Sequence, residues 1–182
     1  SSRCRVPWLV ASMARSIIEL NSIQARRCYD VKPWRGTAGR SGERHAMAYA
    51  IKTEIRDLKA KAFTFAAQKT MYGGKRIATG DTVFVFASEN EGGKGLIARA
   101  VVTSAEPVAR KAGVARQTPR VSIAVRRVAL AKQKLGRDQL KRFKDWDDGR
   151  PETELNFKFY RQATNKIVGI TDETAVFLEG LF

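Results

Sequence analysis

At 182 residues and 43% apolar, the chain has the length and composition to bury the core of one domain rather than stay a disordered polyelectrolyte. Its 34 Lys and Arg exceed 18 Asp and Glu to leave +16, a field that draws polyanions, nucleic acid foremost; the competing reading is a soluble basic surface or a ribosome-associated protein without catalysis. No apolar run reaches the roughly 20 residues of a bilayer-spanning helix, and Cys4, Cys28 and His45 form neither a disulfide framework nor a zinc set. The expectation is a cytoplasmic, reduced protein with no membrane partner, no metal and no cofactor, of an oligomeric state that composition does not give.

In chain order, residues 3–12 (RCRVPWLVAS) place arginines ahead of an apolar run in the manner of a signal segment, but Pro7 interrupts a run already short for that purpose, and Met13 offers an initiator beyond it. Residues 14–31 read as a strand or a short helix leading to a polar connection, and periodicity does not decide between them. KPWRGTAGRSGER (32–44) is rich in Gly, Pro and Arg and reads as a loop. Within it Trp34 beside Arg35 sets an indole able to stack on a base next to a guanidinium able to meet phosphate, unless Trp34 plugs the core. Alanine and charge across HAMAYAIKTEIRDLKAKA (45–62) predict a helix over most of that stretch, although Tyr49, Ile51, Thr53 and Ile55 alternate with strand period. A short aromatic strand and a turn at Gly73 and Gly74 then lead into the clearest pattern in the chain.

That pattern is a hairpin. Thr82 to Ala87, opened by Gly80 and Asp81, is β-branched and aromatic, and Gly95 to Ser104 is a second apolar run. SENEGGK between them offers glycines for a turn with positive φ, and places the acids Glu89 and Glu91 with Asn90 in an otherwise basic chain. From Ala109 to Lys144 twelve Lys or Arg meet one acid, Asp138. Inside this block a basic loop precedes PRVSIAVRRVAL, whose Val121, Ile123 and Val125 share one face of a strand, and LGRDQLKRFKDW follows as a short helix. Leu155 to Tyr160 reads as an aromatic strand, Lys166 to Ile170 as another apolar run, and Thr171 as the N-cap of a closing helix.

The order of GDTVFVFAS, a turn and GLIARAVVTSAEPV, then PRVSIAVRRVAL, then FYRQATNKIVGITDETAVFL resembles the PUA-like superfamily, small barrels that include EVE, ASCH and YTH domains. KTEIR, Lys52 to Arg56, is similar to the lysine and threonine signature of ASCH domains. The likeness runs from about Tyr49 to Phe182. It implies an α+β fold, a mixed β-pseudobarrel with helices packed on its outside, over residues 46–182, with residues 1–45 as an N-terminal extension.

It also implies a nucleic-acid-binding module, RNA favoured over DNA, that holds a base or modified base in an aromatic pocket. Such a pocket needs flat walls, for which Trp34, Tyr160, Phe63 and Phe65 are available, and edge groups, for which Glu89, Asn90, Arg161 and Gln162 are available. Arg35, Arg116, Arg120, Arg126 and Arg127 are the candidate phosphate ligands. The expected meeting place is the open end of the barrel, where Glu89 and Arg161 would each end a strand. The alternative is an ASCH-type amidohydrolase acting on a modified nucleoside through Lys52, Thr53 and Glu89 or Glu91, which needs a lysine of lowered pKa; the binding module is preferred. In the plainest reading Lys52 is a surface residue beside Glu54 and Arg56 on a helix.

Overall fold

The computed structural model describes residues 47–161 and 166–182. The candidates Trp34, Arg35 and Gln162 and the extension 1–45 lie outside the described residues, except that the domain's first described residue is Met47. Six strands close into a barrel: β1 (Ala48–Thr53), β2 (Ala62–Met71), β3 (Thr82–Ala87), β4 (Gly95–Val108), β5 (Arg120–Leu130) and β6 (Lys166–Gly169), in the order β1-β3-β4-β5-β2-β6. The β1–β3 and β2–β6 pairs are parallel and the others antiparallel, so the sheet is mixed. Three short helices, α1 (Arg137–Leu140), α2 (Pro151–Asn156) and α3 (Asp172–Glu179), accompany it.

The predicted hairpin forms as β3 and β4, with Val83 opposite Ala100 and Phe84 opposite Arg99. Two apolar cores follow from the period of two along each strand. Tyr49, Ile51, Phe63, Phe65, Val83, Val85, Ile123 and Val125 fill the barrel. Ala50, Phe84, Phe86 and Val168, on the opposite face of their strands, meet Leu140, Leu155, Phe159 and Leu178 of the helical layer. Strands β1 and β3 are thus buried on both faces, as parallel strands usually are.

Two expectations are overturned. The helix predicted over most of residues 45–62 is strand β1 from Ala48 to Thr53, because Tyr49 and Ile51 fill the barrel while Ala50 packs outward, and β3 and β6 pair with its two edges. Tertiary pairing here overrides alanine's helical preference. The strand predicted over Leu155–Tyr160 is helical: Pro151 takes the first helical position, Glu152 and Glu154 lie in the first turn, and Leu155 and Phe159, four apart, are both buried. A single π-turn, Phe157–Arg161, continues α2.

The N-cap at Thr171 forms as expected, its hydroxyl accepting from the Thr174 amide at 3.3 Å. The Glu154 carboxylate ties α2 to that cap, accepting from the Thr171 hydroxyl at 2.7 Å, from the Thr174 hydroxyl and from Lys158. The outer core is the packing on which the helical layer depends, and its Phe86–Phe159 contact has ring centroids 4.9 Å apart. Phe159→Ala should therefore cost about 3–5 kcal/mol in urea unfolding, whereas Val176→Ala, 65% exposed on α3, should change stability by less than about 0.5 kcal/mol.

Candidate functional site

A lysine on a strand of a closed barrel normally reaches water, and Lys52 does not: it is 2% exposed, so the reading of it as a surface residue is wrong. It stands opposite Phe86 on β3 and so faces the helical layer rather than the barrel interior. Its ammonium is 2.9 Å from Glu89 Oε2 and 3.8 Å from the centre of the Tyr160 ring. Glu89 belongs to the hairpin loop, where residues Glu89–Glu91 make one tight turn closed by Gly92 at φ +77°. Its other oxygen, Oε1, accepts the Tyr160 hydroxyl at 2.5 Å and the Arg137 amide at 2.8 Å. Oε2 is buried and pairs with the Lys52 ammonium.

Two glycines admit this approach. A Cβ on Gly95 would fall 2.2 Å from the Leu135 carbonyl oxygen, and φ is +82° there, so the start of β4 lies directly against the chain entering α1. A Cβ on Gly136 would stand 3.0 Å from Glu89 Oε1, so that the carboxylate would have to shift by a few tenths of an ångström to admit it.

The electrostatics follow from this packing. Burial lowers the Lys52 pKa below the ordinary lysine value, against the opposing pull of Glu89. Burial alone would raise Glu89, but its bonds from Tyr160, Lys52 and the backbone outweigh that and hold it below the usual carboxylate range. Burial, then the adjacent carboxylate, raises Tyr160, which stays a protonated donor. The site is a fixed acceptor, a fixed donor and an aromatic ring packed together between barrel and helices.

Glu89 and Tyr160 are therefore brought together, with Lys52. Thr53 is not part of this group: as the next strand residue it projects to the opposite face, and its carbonyl accepts the Ser88 amide at 2.8 Å. Asn90 and Glu91 are exposed in the same turn as Glu89. Arg161 turns away to the Trp146 ring, 4.9 Å from its guanidinium, because residue 161 ends a helical turn and no strand. Phe63 and Phe65 stack on each other at 6.1 Å inside the barrel and cannot wall this cleft. The meeting place is thus the outer face of β1, not the barrel's open end.

The basic block is divided. Strand β5 lies three places from β1 in the closed order, across the barrel from the cleft. Arg120 donates to the Ala67 carbonyl at 3.1 Å and Arg127 to the Lys59 carbonyl, whereas Arg116 and Arg126 are exposed. Lys132, Lys134, Arg137, Lys141, Arg142 and Lys144 follow β5 on the side of α1. Arg137, with its guanidinium 6.0 Å from the Tyr160 ring, is the site residue that sequence reasoning missed; its place in LGRDQL, just after a glycine, was the available signal. At the other end of β1 an open groove of about 470 Å³ is lined by Met47, Tyr49, Lys75, Arg76, Ile77 and Asp81. Its buried acid is already used: Asp81 accepts the amides of Met47 at 3.1 Å and Ala78 at 2.8 Å.

No family model matches the chain, and no curated protein does. Solved structures do. Human THYN1 protein, in complex with 5-methylcytosine containing DNA, is similar with a TM-score of 0.54 and 17% identity over 75% of this chain and 97% of that one. The DUF55 domain of human thymocyte nuclear protein 1 gives 0.51 and 16% over 74% and 97%. A protein from Pseudomonas putida gives 0.51 and 15% over 74% and 98%. The fold is PUA-like. At these identities the likeness establishes the PUA-like barrel and its outer helices, which the residue order had implied.

Removing one partner of a buried pair leaves the other charge without compensation. Glu89→Ala should lower stability by about 3–5 kcal/mol, and adding Lys52→Met to it should recover most of the loss. The acid limb is the second test. Glu89 and Glu154, both held below the carboxylate value of 4.5, contribute stability above that value which is lost as pH falls through their folded values. Urea midpoints measured downward from pH 6 should fall, and Glu89→Gln should make that decline shallower.

Proposed function

We propose that this protein is a nucleic-acid-binding module that holds a base, in particular a modified one, in the cleft formed by Lys52, Glu89 and Tyr160. One observation carries the reading: the Glu89 carboxylate, held by Tyr160 and the Arg137 amide, lies with the Lys52 ammonium against an aromatic ring. Reading a base needs a flat wall and edge groups that do not move. An ionised carboxylate only accepts hydrogen bonds, so it favours a base edge carrying an exocyclic amino group, with the ammonium serving the adjacent ring nitrogen or carbonyl. The +16 charge supports a polyanionic ligand. So does the human protein of similar fold, whose structure holds 5-methylcytosine containing DNA. That complex weighs toward DNA against the RNA preference expected from the resemblance.

The test is competition binding of oligonucleotides with one cytosine, plain or 5-methylated, as DNA and as RNA. Tyr160→Ala should weaken binding of each cytosine oligonucleotide by about tenfold, since a stacked base is worth roughly 1–3 kcal/mol. Lys141→Glu with Arg142→Glu should weaken all sequences alike and reduce the salt slope by about 2. Arg126→Glu, across the barrel, should change it less. Binding that stays flat between low and physiological salt, or a Tyr160→Ala variant that binds like wild type, would sink the proposal.

A second reading, an amidohydrolase acting on an acylated nucleoside, is favoured by the buried lysine of lowered pKa 2.9 Å from a carboxylate. In it Glu89 takes a proton from water as the water oxygen adds to the acyl carbonyl, and Lys52 gives a proton to the departing amine. Wild-type release of acid from a panel of N-acylated pyrimidine nucleosides, abolished by Lys52→Met at a temperature where circular dichroism shows the variant folded, is the expected result. No turnover across the panel removes this reading.

A further inference from the structure

We infer that an exposed aromatic platform beside the cleft, made by Tyr72, Phe157 and Trp146, stacks the nucleotides flanking the base in a single strand. This rests on the nucleic-acid reading above and extends it from one base to the strand around it. The π-turn makes the connection, because one turn serves two faces: Tyr160 reaches Glu89, while Phe157 and Arg161 reach Trp146. Such turns recur at functional sites.

Phe157 lies between the other two rings, edge-on to Tyr72 at 6.4 Å and to Trp146 at 5.5 Å between centroids. Tyr72 and Trp146 nevertheless remain 41% and 39% exposed, although the neighbouring outer core takes in every aromatic ring of β3. Tyr72 does so at a cost. Its φ of 49° is a left-handed value that non-glycine residues seldom adopt, and its carbonyl accepts the Gly169 amide at 3.2 Å. Lys158 holds the place rigid, with its ammonium 5.0 Å from the Tyr72 ring and bonded to Glu154 and to the Gly169 carbonyl.

The ligand follows from what is already occupied. Asp145 and Asp147 flank Trp146 and, taken alone, would invite a cationic ligand into an aromatic cage. Arg161 already fills that role, its guanidinium 4.9 Å from the Trp146 ring and 5.5 Å from the Phe157 ring. What remains for a ligand is a pair of exposed ring surfaces with the exposed Arg161 beside them, the combination that takes uncharged planar bases with a phosphate at the cation. The acids keep the backbone on the side of Arg161.

The experiment compares DNA oligonucleotides of two and of ten nucleotides, each with one 5-methylcytosine, by fluorescence anisotropy against the full chain. Wild type should gain affinity with length, and Trp146→Ala and Tyr72→Ala should each remove about tenfold of that gain while binding the dinucleotide as wild type does. Trp146→Phe should retain most of it. Because Trp8 and Trp34 also emit, quenching by the longer strand is read as the difference between wild type and Trp146→Phe. Equal affinity of Trp146→Ala and wild type for the ten-nucleotide strand overturns the platform. So does an equal loss at both lengths accompanied by a lower melting temperature, which marks Trp146 as a packing residue. Quenching by a trimethyl-lysine peptide but by no oligonucleotide overturns it in favour of a cation cage. Dinucleotide binding without any gain in length refutes the platform and spares the cleft, whereas absence of binding at both lengths refutes both.

Discussion

The arrangement depends on one electrostatic constraint, the burial of the Lys52 charge on the outer face of β1. An ammonium out of water is expensive unless a counter-charge reaches it, and the repayment requires good geometry. Glu89 is that counter-charge, and the hairpin loop must fold inward to bring it to 2.9 Å. The loop in turn meets the chain entering α1 so closely that only glycine fits at position 95. Tyr160 then covers the lysine with its ring and gives its hydroxyl to the carboxylate. Each of these features would be unnecessary, and some would be unfavourable, if residue 52 were apolar.

That is also the argument for function. Replacing a buried ion pair by apolar residues of similar volume is commonly neutral or stabilising, so stability alone does not account for a lysine here. A donor and an acceptor fixed beside an aromatic ring, both with lowered pKa values, are what recognition of a planar heterocycle or proton transfer to one requires. The π-turn adds a second use of the same backbone, since its five residues send Tyr160 to the cleft and Phe157 and Arg161 to the exposed rings.

Charge and cleft are related less simply than the basic block suggests. Its cations divide at the end of β5: those in the β4–β5 loop and on β5 lie across the barrel from Lys52, and those after residue 131 accompany α1. A polyanion seated at the cleft meets the second group directly. The first group acts on it through the long-range field, which salt screens within about a Debye length.

The amino-acid sequence by itself determined the elements whose signal is local. The β3–β4 hairpin, the strand with Val121, Ile123 and Val125 inward and the cap at Thr171 all follow from short-range alternation and turn chemistry, and they survive in the structure. So did the residue order that resembles the PUA-like superfamily, because order is a property of the chain. Tertiary structure decided the rest. Ala48–Thr53 looks helical until β3 and β6 pair with its two edges, and Leu155–Tyr160 looks extended until the outer core demands Leu155 and Phe159 on one side. Glu89 and Tyr160 were legible as candidate edge and wall groups, but their convergence with Lys52 was not, for Lys52, Glu89, Arg137 and Tyr160 are joined only by barrel closure and helix packing. Whether a strand lysine faces solvent or a carboxylate depends on what covers that face, and no local pattern in the chain records it.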